Sequence, residues 1–113
     1  MGLADPKTSI TASLSKNGIK AAYLFLADDY IDEPALLDSI KNVEFIIVQA
    51  SYSSPLTSIA HIVLPSPTVQ ETEGSYTTLD GMVKSAPRLV QPPSGVKQDL
   101  EILQEIAKRL RAR

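Results

Sequence analysis

The sequence predicts an α/β fold: a small parallel βαβαβ sheet, an extended Pro/Gly-rich segment or hairpin, and a C-terminal helix. Three observations carry this expectation. Short apolar runs alternate with segments of helical periodicity up to residue 65. Pro65, Pro67, Pro87, Pro92 and Pro93, with Gly74, Gly81 and Gly95, then punctuate a stretch that lacks a helical period. From Asp99 onward, apolar residues return at helical spacing. At 113 residues, 43% hydrophobic and 21% charged, the chain suits one α/β domain over 1–113, too small for a two-domain enzyme.

The first element, over residues 1–18, is a weak helix or arm in which Ile10 and Leu14 sit four apart among serines and threonines, with Asn17-Gly18 as its stop. A βαβαβ core follows over 19–65. Ala21 to Leu26 is a continuous apolar run that reads as a strand buried on both faces. Asp32 and Glu33 precede Pro34, a residue suited to a helix's first turn, and Ala35, Leu36, Leu37, Ile40 and Val43 then form an apolar stripe. Phe45 to Val48 is a second, β-branched run. Ser54-Pro55 reads as the N-cap and first position of a short helix through Ile59, and Ile62 to Leu64 is the third strand. The connections are expected to be right-handed crossovers. Residues 66–98 form an extended loop in which Leu79-Asp80-Gly81 lies between two β-prone runs, a hairpin signal. The final helix, over 99–112, has Asp99 as its cap, Leu100, Leu103, Ile106, Ala107 and Leu110 on one face, and basic residues in its last turns.

Composition removes several kinds of chemistry. A formal charge of -2 supplies no bulk positive field for nucleic acid or an anionic membrane. The absence of cysteine excludes disulfides, thiol nucleophiles and cysteine-held zinc or iron–sulfur sites within these residues. No apolar stretch approaches the roughly 20 residues of a membrane span, and no secretory signal is visible, so a cytoplasmic location is the expectation. The loop after the first strand lies at the edge where parallel sheets bind ligands, yet it reads Ala27-Asp28-Asp29, without the glycines of a phosphate cradle. Asp28, Asp29, Asp32 and Glu33 match no established calcium loop, and a solvated acidic loop beside a helix N-terminus accounts for them. His61, the sole histidine, is expected to cap or hydrogen-bond rather than catalyse. The serines from Ser51 to Ser54 lack a Gly-x-Ser-x-Gly elbow and read as loop and cap residues.

Phe45-Ile46-Ile47-Val48-Gln49, then Ser54 through Pro65 with its Ala60-His61-Ile62-Val63-Leu64-Pro65 ending, then Glu71-Thr72-Glu73-Gly74-Ser75-Tyr76-Thr77, resemble in order and spacing the molybdopterin oxidoreductase family. That family includes formate dehydrogenases, nitrate reductases, formylmethanofuran dehydrogenases and the related large iron–sulfur subunit of complex I, the NADH-quinone oxidoreductase. Pro92-Pro93, Gly95 and Asp99-Leu100-Glu101-Ile102-Leu103 extend the resemblance, which covers roughly residues 19 to 112. It implies a three-layer, Rossmann-like third domain of a much larger catalytic chain. It also implies that partners are other domains or subunits of a redox complex, among them an iron–sulfur polypeptide, with the assembly cytoplasmic or peripheral to a membrane.

The departures are informative. Where the family carries Gly-x-Asn after the first strand this chain has Ala27-Asp28-Asp29, and where it carries aspartate after the second this chain has Ala50. Ser54-Pro55-Leu56 replaces Thr-Glu-Thr, His61 replaces an aspartate, and Thr78, Met82 and Lys84 replace Asn, Arg and Gln. The surviving matches are mostly structural residues. The expectation is therefore a non-catalytic structural domain or fragment that has no catalytic residue and binds no cofactor alone, with molybdopterin guanine dinucleotide belonging to a parent enzyme. Two alternatives stay open. In one, the chain contributes to a cofactor site through the matched positions Glu71, Glu73, Tyr76 and Asp80. In the other, it is a stand-alone ligand-binding or regulatory domain using loops 27–33 and 50–55.

Overall fold

A computed structural model describes Leu14 and residues 18–112. The expected helix or arm over 1–18 lies outside the described residues, apart from Leu14 and Gly18. The chain divides into two units, Met1–Leu64 and Pro65–Arg113.

In the first unit, β1 (Ala21–Ala27), α1 (Pro34–Ile40), β2 (Phe45–Ala50), α2 (Pro55–Ile59) and β3 (Ile62–Pro65) follow the expected alternation. The three strands form one parallel sheet in the order β1-β2-β3. Ala21 pairs with Phe45, and the register continues to Phe25 with Gln49 before it shifts, so that Ala27 pairs with Ala50. At the shift Ala27 adopts φ 48°, a left-handed conformation that costs an L-residue roughly 1 kcal/mol. The turn is held there because the Asp29 N–H donates to the Leu26 carbonyl at 3.0 Å and the Ser51 N–H donates to the Ala27 carbonyl at 3.0 Å.

The core cluster joins Leu26 of β1, Ile46, Val48 and Ala50 of β2, Leu36 and Ile40 of α1, Val43, Leu56 of α2, and Leu14. Ile40, Val48 and Leu56 are fully buried, each contributing roughly 1.5–3 kcal/mol of apolar transfer. β1 differs from the expectation of burial on both faces. Ala22, Leu24 and Leu26 turn inward, whereas Tyr23 and Phe25 stay 37% and 50% exposed. β1 is an edge strand whose inward face meets the helices and Leu14, so its uniform apolarity does not translate into uniform burial. The helix starts follow the sequence closely. Ser54 caps α2: its hydroxyl accepts the Thr57 N–H at 3.3 Å, and the Thr57 hydroxyl accepts the Ser54 N–H at 2.8 Å.

The second unit contains a 3-10 turn (Val69–Glu71), the antiparallel pair β4 (Gly74–Thr77) and β5 (Val83–Ala86), and α3 (Asp99–Arg111). The hairpin falls where Leu79-Asp80-Gly81 predicted it. The Gly81 N–H donates to the Thr78 carbonyl and the Thr78 N–H to the Met82 carbonyl, both at 2.8 Å. Gly81 has φ 83° and is the only residue of the connection with positive φ, which makes this a three-residue turn closed by a left-handed glycine. The expected cap of the last helix is corrected. Its N-cap is Gln98, whose N–H donates to the Glu101 carboxylate at 3.2 Å, while Asp99 lies one residue inside and accepts the Ser66 hydroxyl. Ile102 is the buried residue of the helix, and Leu100, Leu103 and Leu110 are exposed.

Candidate functional site

The matched positions gather around the 3-10 turn and the β4–β5 hairpin. The turn is a hydrogen-bonding hub. The Gln70 carbonyl accepts the N–H groups of Leu89 and Val90 at 3.0 and 3.1 Å, and the Glu71 carbonyl accepts the Gln98 side-chain amide at 3.2 Å. The Glu71 carboxylate reaches back to accept the Thr68 N–H at 2.9 Å, closing the first turn. Glu73, two residues on, faces the Arg88 guanidinium at 4.0 Å, with its own side chain 70% exposed. Tyr76 lies within β4 opposite Lys84, its side chain on the same face of the hairpin. Asp80 sits in the turn, where its carboxylate accepts the Thr78 hydroxyl and the Met82 N–H, the latter at 3.4 Å. Those two hydrogen bonds, the hydroxyl's first, hold the Asp80 carboxyl below its ordinary value of 3.8. The Thr78 hydroxyl also lies 2.9 Å from the Met82 carbonyl, so its single proton serves one acceptor at a time.

These four residues share a neighbourhood in sequence but not a point in space. Four strand residues separate the base of the hairpin at Glu73 from its tip, roughly 14 Å at about 3.4 Å per residue. An open cleft of about 440 Å³ lies at the base, lined by Thr72, Glu73, Arg88, Gln98, Asp99 and Glu101, and of the four matched positions only Glu73 borders it. Arg88 was not singled out from the sequence. The signal was available in the register, because pairing Gly74 with Ala86 brings the residues before β4 beside those after β5. Its Nε is buried without a hydrogen-bond partner.

In the first unit, the strand-edge loops 27–33 and 50–55 are brought side by side by the Ala27–Ala50 pairing and the Ser51-to-Ala27 hydrogen bond. Ser54 there is buried and committed to its cap, and among the described residues no three His, Asp or Glu side chains gather to hold a metal ion. His61 has the hydrogen-bonding role expected of it: Nδ1 accepts the Ile46 N–H at 3.1 Å while the His61 backbone N–H donates to the Ile46 carbonyl at 2.9 Å, and its ring lies 5.5 Å from that of Phe45. The proton of the neutral ring therefore resides on Nε2. Gln49, given no role of its own in the sequence beyond its place in the Phe45–Gln49 motif, is fully buried and accepts the Tyr23 hydroxyl.

A parallel three-stranded sheet with crossover helices, a hairpin and a C-terminal helix define the α/β class. The model of the molybdopterin oxidoreductase family matches residues 1–109, and the chain belongs to that family. Over 104 residues it is 30% identical to the NADPH-Fe(3+) oxidoreductase subunit alpha of Geobacter sulfurreducens, covering 89% of this chain and 12% of that protein. The NADH-quinone oxidoreductase G subunit of Rickettsia typhi is 36% identical over 90 residues, 80% of this chain and 12% of that one. Formate dehydrogenase H of Escherichia coli is 30% identical over 96 residues, 81% and 13% respectively. The chain thus spans about an eighth of the length of these relatives and corresponds to part of a family domain. Molybdopterin is the cofactor that the family's description names.

Proposed function

We propose that the chain is a non-catalytic, structural portion of an electron-transfer polypeptide of the molybdopterin oxidoreductase or NADH-quinone oxidoreductase type, and that its role is packing and assembly. One observation carries the reading: two of the four matched side chains, Glu71 and Asp80, are occupied in holding the chain's own turns. Glu71 closes the 3-10 turn and Asp80 closes the hairpin, while Glu73 pairs with Arg88. A pterin dinucleotide presents phosphates, which call for cations or free backbone N–H groups. The three carboxylates of Glu71, Glu73 and Asp80 do not supply them. Those carboxylates do not fit the phosphates of that group.

In this reading the parent polypeptide brings the rest of the assembly, including an iron–sulfur component, and sits in the cytoplasm or at the periphery of a membrane complex. No helix among the described residues is long and apolar enough to cross a membrane. Native capture from the source cells, with chain length and co-purifying polypeptides identified by mass spectrometry, tests it. The expected result is a cysteine-rich iron–sulfur polypeptide in the same chain or travelling with it, and recovery of a lone small protein would overturn the proposal.

A second reading, in which the chain contributes to a site for molybdopterin guanine dinucleotide, is favoured by one feature. Tyr76 is 48% exposed and stands opposite Lys84, a ring and a cation on one face. Titration with guanosine diphosphate separates the two: saturable binding abolished by Tyr76→Ala supports the second, and no binding up to about 1 mM, weaker than about -4 kcal/mol, supports the first.

A further inference from the structure

Asp80-Gly81, at the tip of the hairpin, is the chain's only Asp-Gly pair. Such a pair carries a reaction of its own. The Gly81 nitrogen attacks Asp80 Cγ, and a five-membered succinimide forms as the amide proton and the carboxyl hydroxyl leave as water. Water then adds at the Asp80 main-chain carbonyl and breaks its bond to the Gly81 nitrogen, so the chain runs on through Cγ as isoaspartate. The water released is the water consumed, and no oxidant or reductant is needed. Glycine favours the attack because no side chain shields its nitrogen.

The folded turn engages both reacting groups. The Gly81 N–H donates to the Thr78 carbonyl at 2.8 Å, which holds the nucleophile in place. The Asp80 carboxylate accepts the Thr78 hydroxyl and, at 3.4 Å, the Met82 N–H, so it is aimed past Gly81 at the residue beyond. Cyclisation also requires the protonated carboxyl, whose hydroxyl can leave. The same hydrogen bonds hold Asp80 below its ordinary 3.8 and shrink that protonated fraction. We propose that Asp80-Gly81 is a latent isoaspartate site, shut by the folded turn and opened when the hairpin frays, with Thr78 as the residue that shuts it. Every group involved lies between Thr78 and Met82, so the protection belongs to the turn itself, whatever covers the hairpin. A two-stranded hairpin is marginally stable, and β4 and β5 pair over four residues each, so the population of the open turn sets the rate.

Peptide mapping of the full 113-residue chain, aged at neutral pH both in the native state and in denaturant, tests the proposal. Isoaspartate is read residue by residue, which separates position 80 from Asn17-Gly18, the other pair prone to this cyclisation. Conversion at position 80 should be slower in the native chain by about tenfold or more, the ratio set by an opening free energy of about 1.4 kcal/mol. Thr78→Val, which removes the hydroxyl and keeps the shape, should narrow that ratio by about threefold or more, and Thr78→Ser, which keeps the hydroxyl, should preserve it. Cross-strand amide contacts between Ser75 and Ser85, measured by NMR in both variants, show that the hairpin persists. Equal rates in native and denatured chain, no conversion in denaturant, a ratio that Thr78→Val leaves unchanged, or protection lost equally in Thr78→Ser would overturn it.

Discussion

His61 and Asp80 show how single side chains of reactive type are absorbed into backbone support. The imidazole is the acceptor for the N–H of Ile46, a residue 3% exposed, so removing it strands a buried donor. His61→Leu should lower stability by about 1–3 kcal/mol, and His61→Asn, whose amide oxygen can accept, should recover part of the loss. Urea unfolding midpoints compare the two. Asp80 is held below its ordinary value of 3.8, so its contribution is present above that unfolded value and is lost as pH falls through the lower folded one. A carboxyl-carbon NMR titration should give a midpoint below 3.8, and in Asp80→Asn the amide resonances of Gly81 and Met82 should lose their acid-dependent movement. The residue types alone allowed catalysis at either position. The hydrogen-bonding role was readable for His61 from its place at the start of a strand, but its partner Ile46 lies fifteen residues away and belongs to the fold.

Among the elements, the short helix α2 is the one most fully written in local sequence. Ser54-Pro55 followed by Thr57 specifies its start through capping hydrogen bonds that span three residues, and that is why its observed bounds are the expected ones. What holds it in place is nonlocal: Leu56 is fully buried against the first unit's core. The two contributions should separate by size. Ser54→Ala is expected to cost about 1 kcal/mol and Leu56→Ala about 2–5 kcal/mol, each measured by denaturant unfolding. The β4–β5 hairpin belongs with α2, since Asp80-Gly81 announced it and Gly81 supplies the left-handed residue that closes it. α3 is the counter-example. Its amphipathic stripe was plain in the sequence, but periodicity says only that a face is apolar, and Ile102 is the one residue of the helix that is buried.

For the molecule as a whole, apolar side chains divide into those that hold the first unit together and those left at the surface. Ile40, at 0% exposure, and Leu110, at 66%, are similar in hydrophobicity but not in consequence. Ile40→Ala should cost about 2–5 kcal/mol, whereas Leu110→Ala should change stability by no more than about 0.5 kcal/mol, as thermal or urea unfolding would show. Exposed Tyr23, Phe25 and Phe45 on the sheet, and Leu79 and Val83 on the hairpin, continue that second population. This is the surface expected of a portion of a longer polypeptide, in keeping with relatives about eight times its length. The sequence by itself determined the alternation of strands and helices, the hairpin, the α2 cap and the family, because each depends on residue order over a few positions or on the spacing of short motifs. Only the tertiary structure decided which face of β1 is buried, that Gln49 lies in the interior, that Glu71 and Asp80 support the chain's own turns, and that Ile102 is the buried residue of α3. Burial is a property of what lies opposite a residue in space, and a one-dimensional pattern carries the face but not its neighbour.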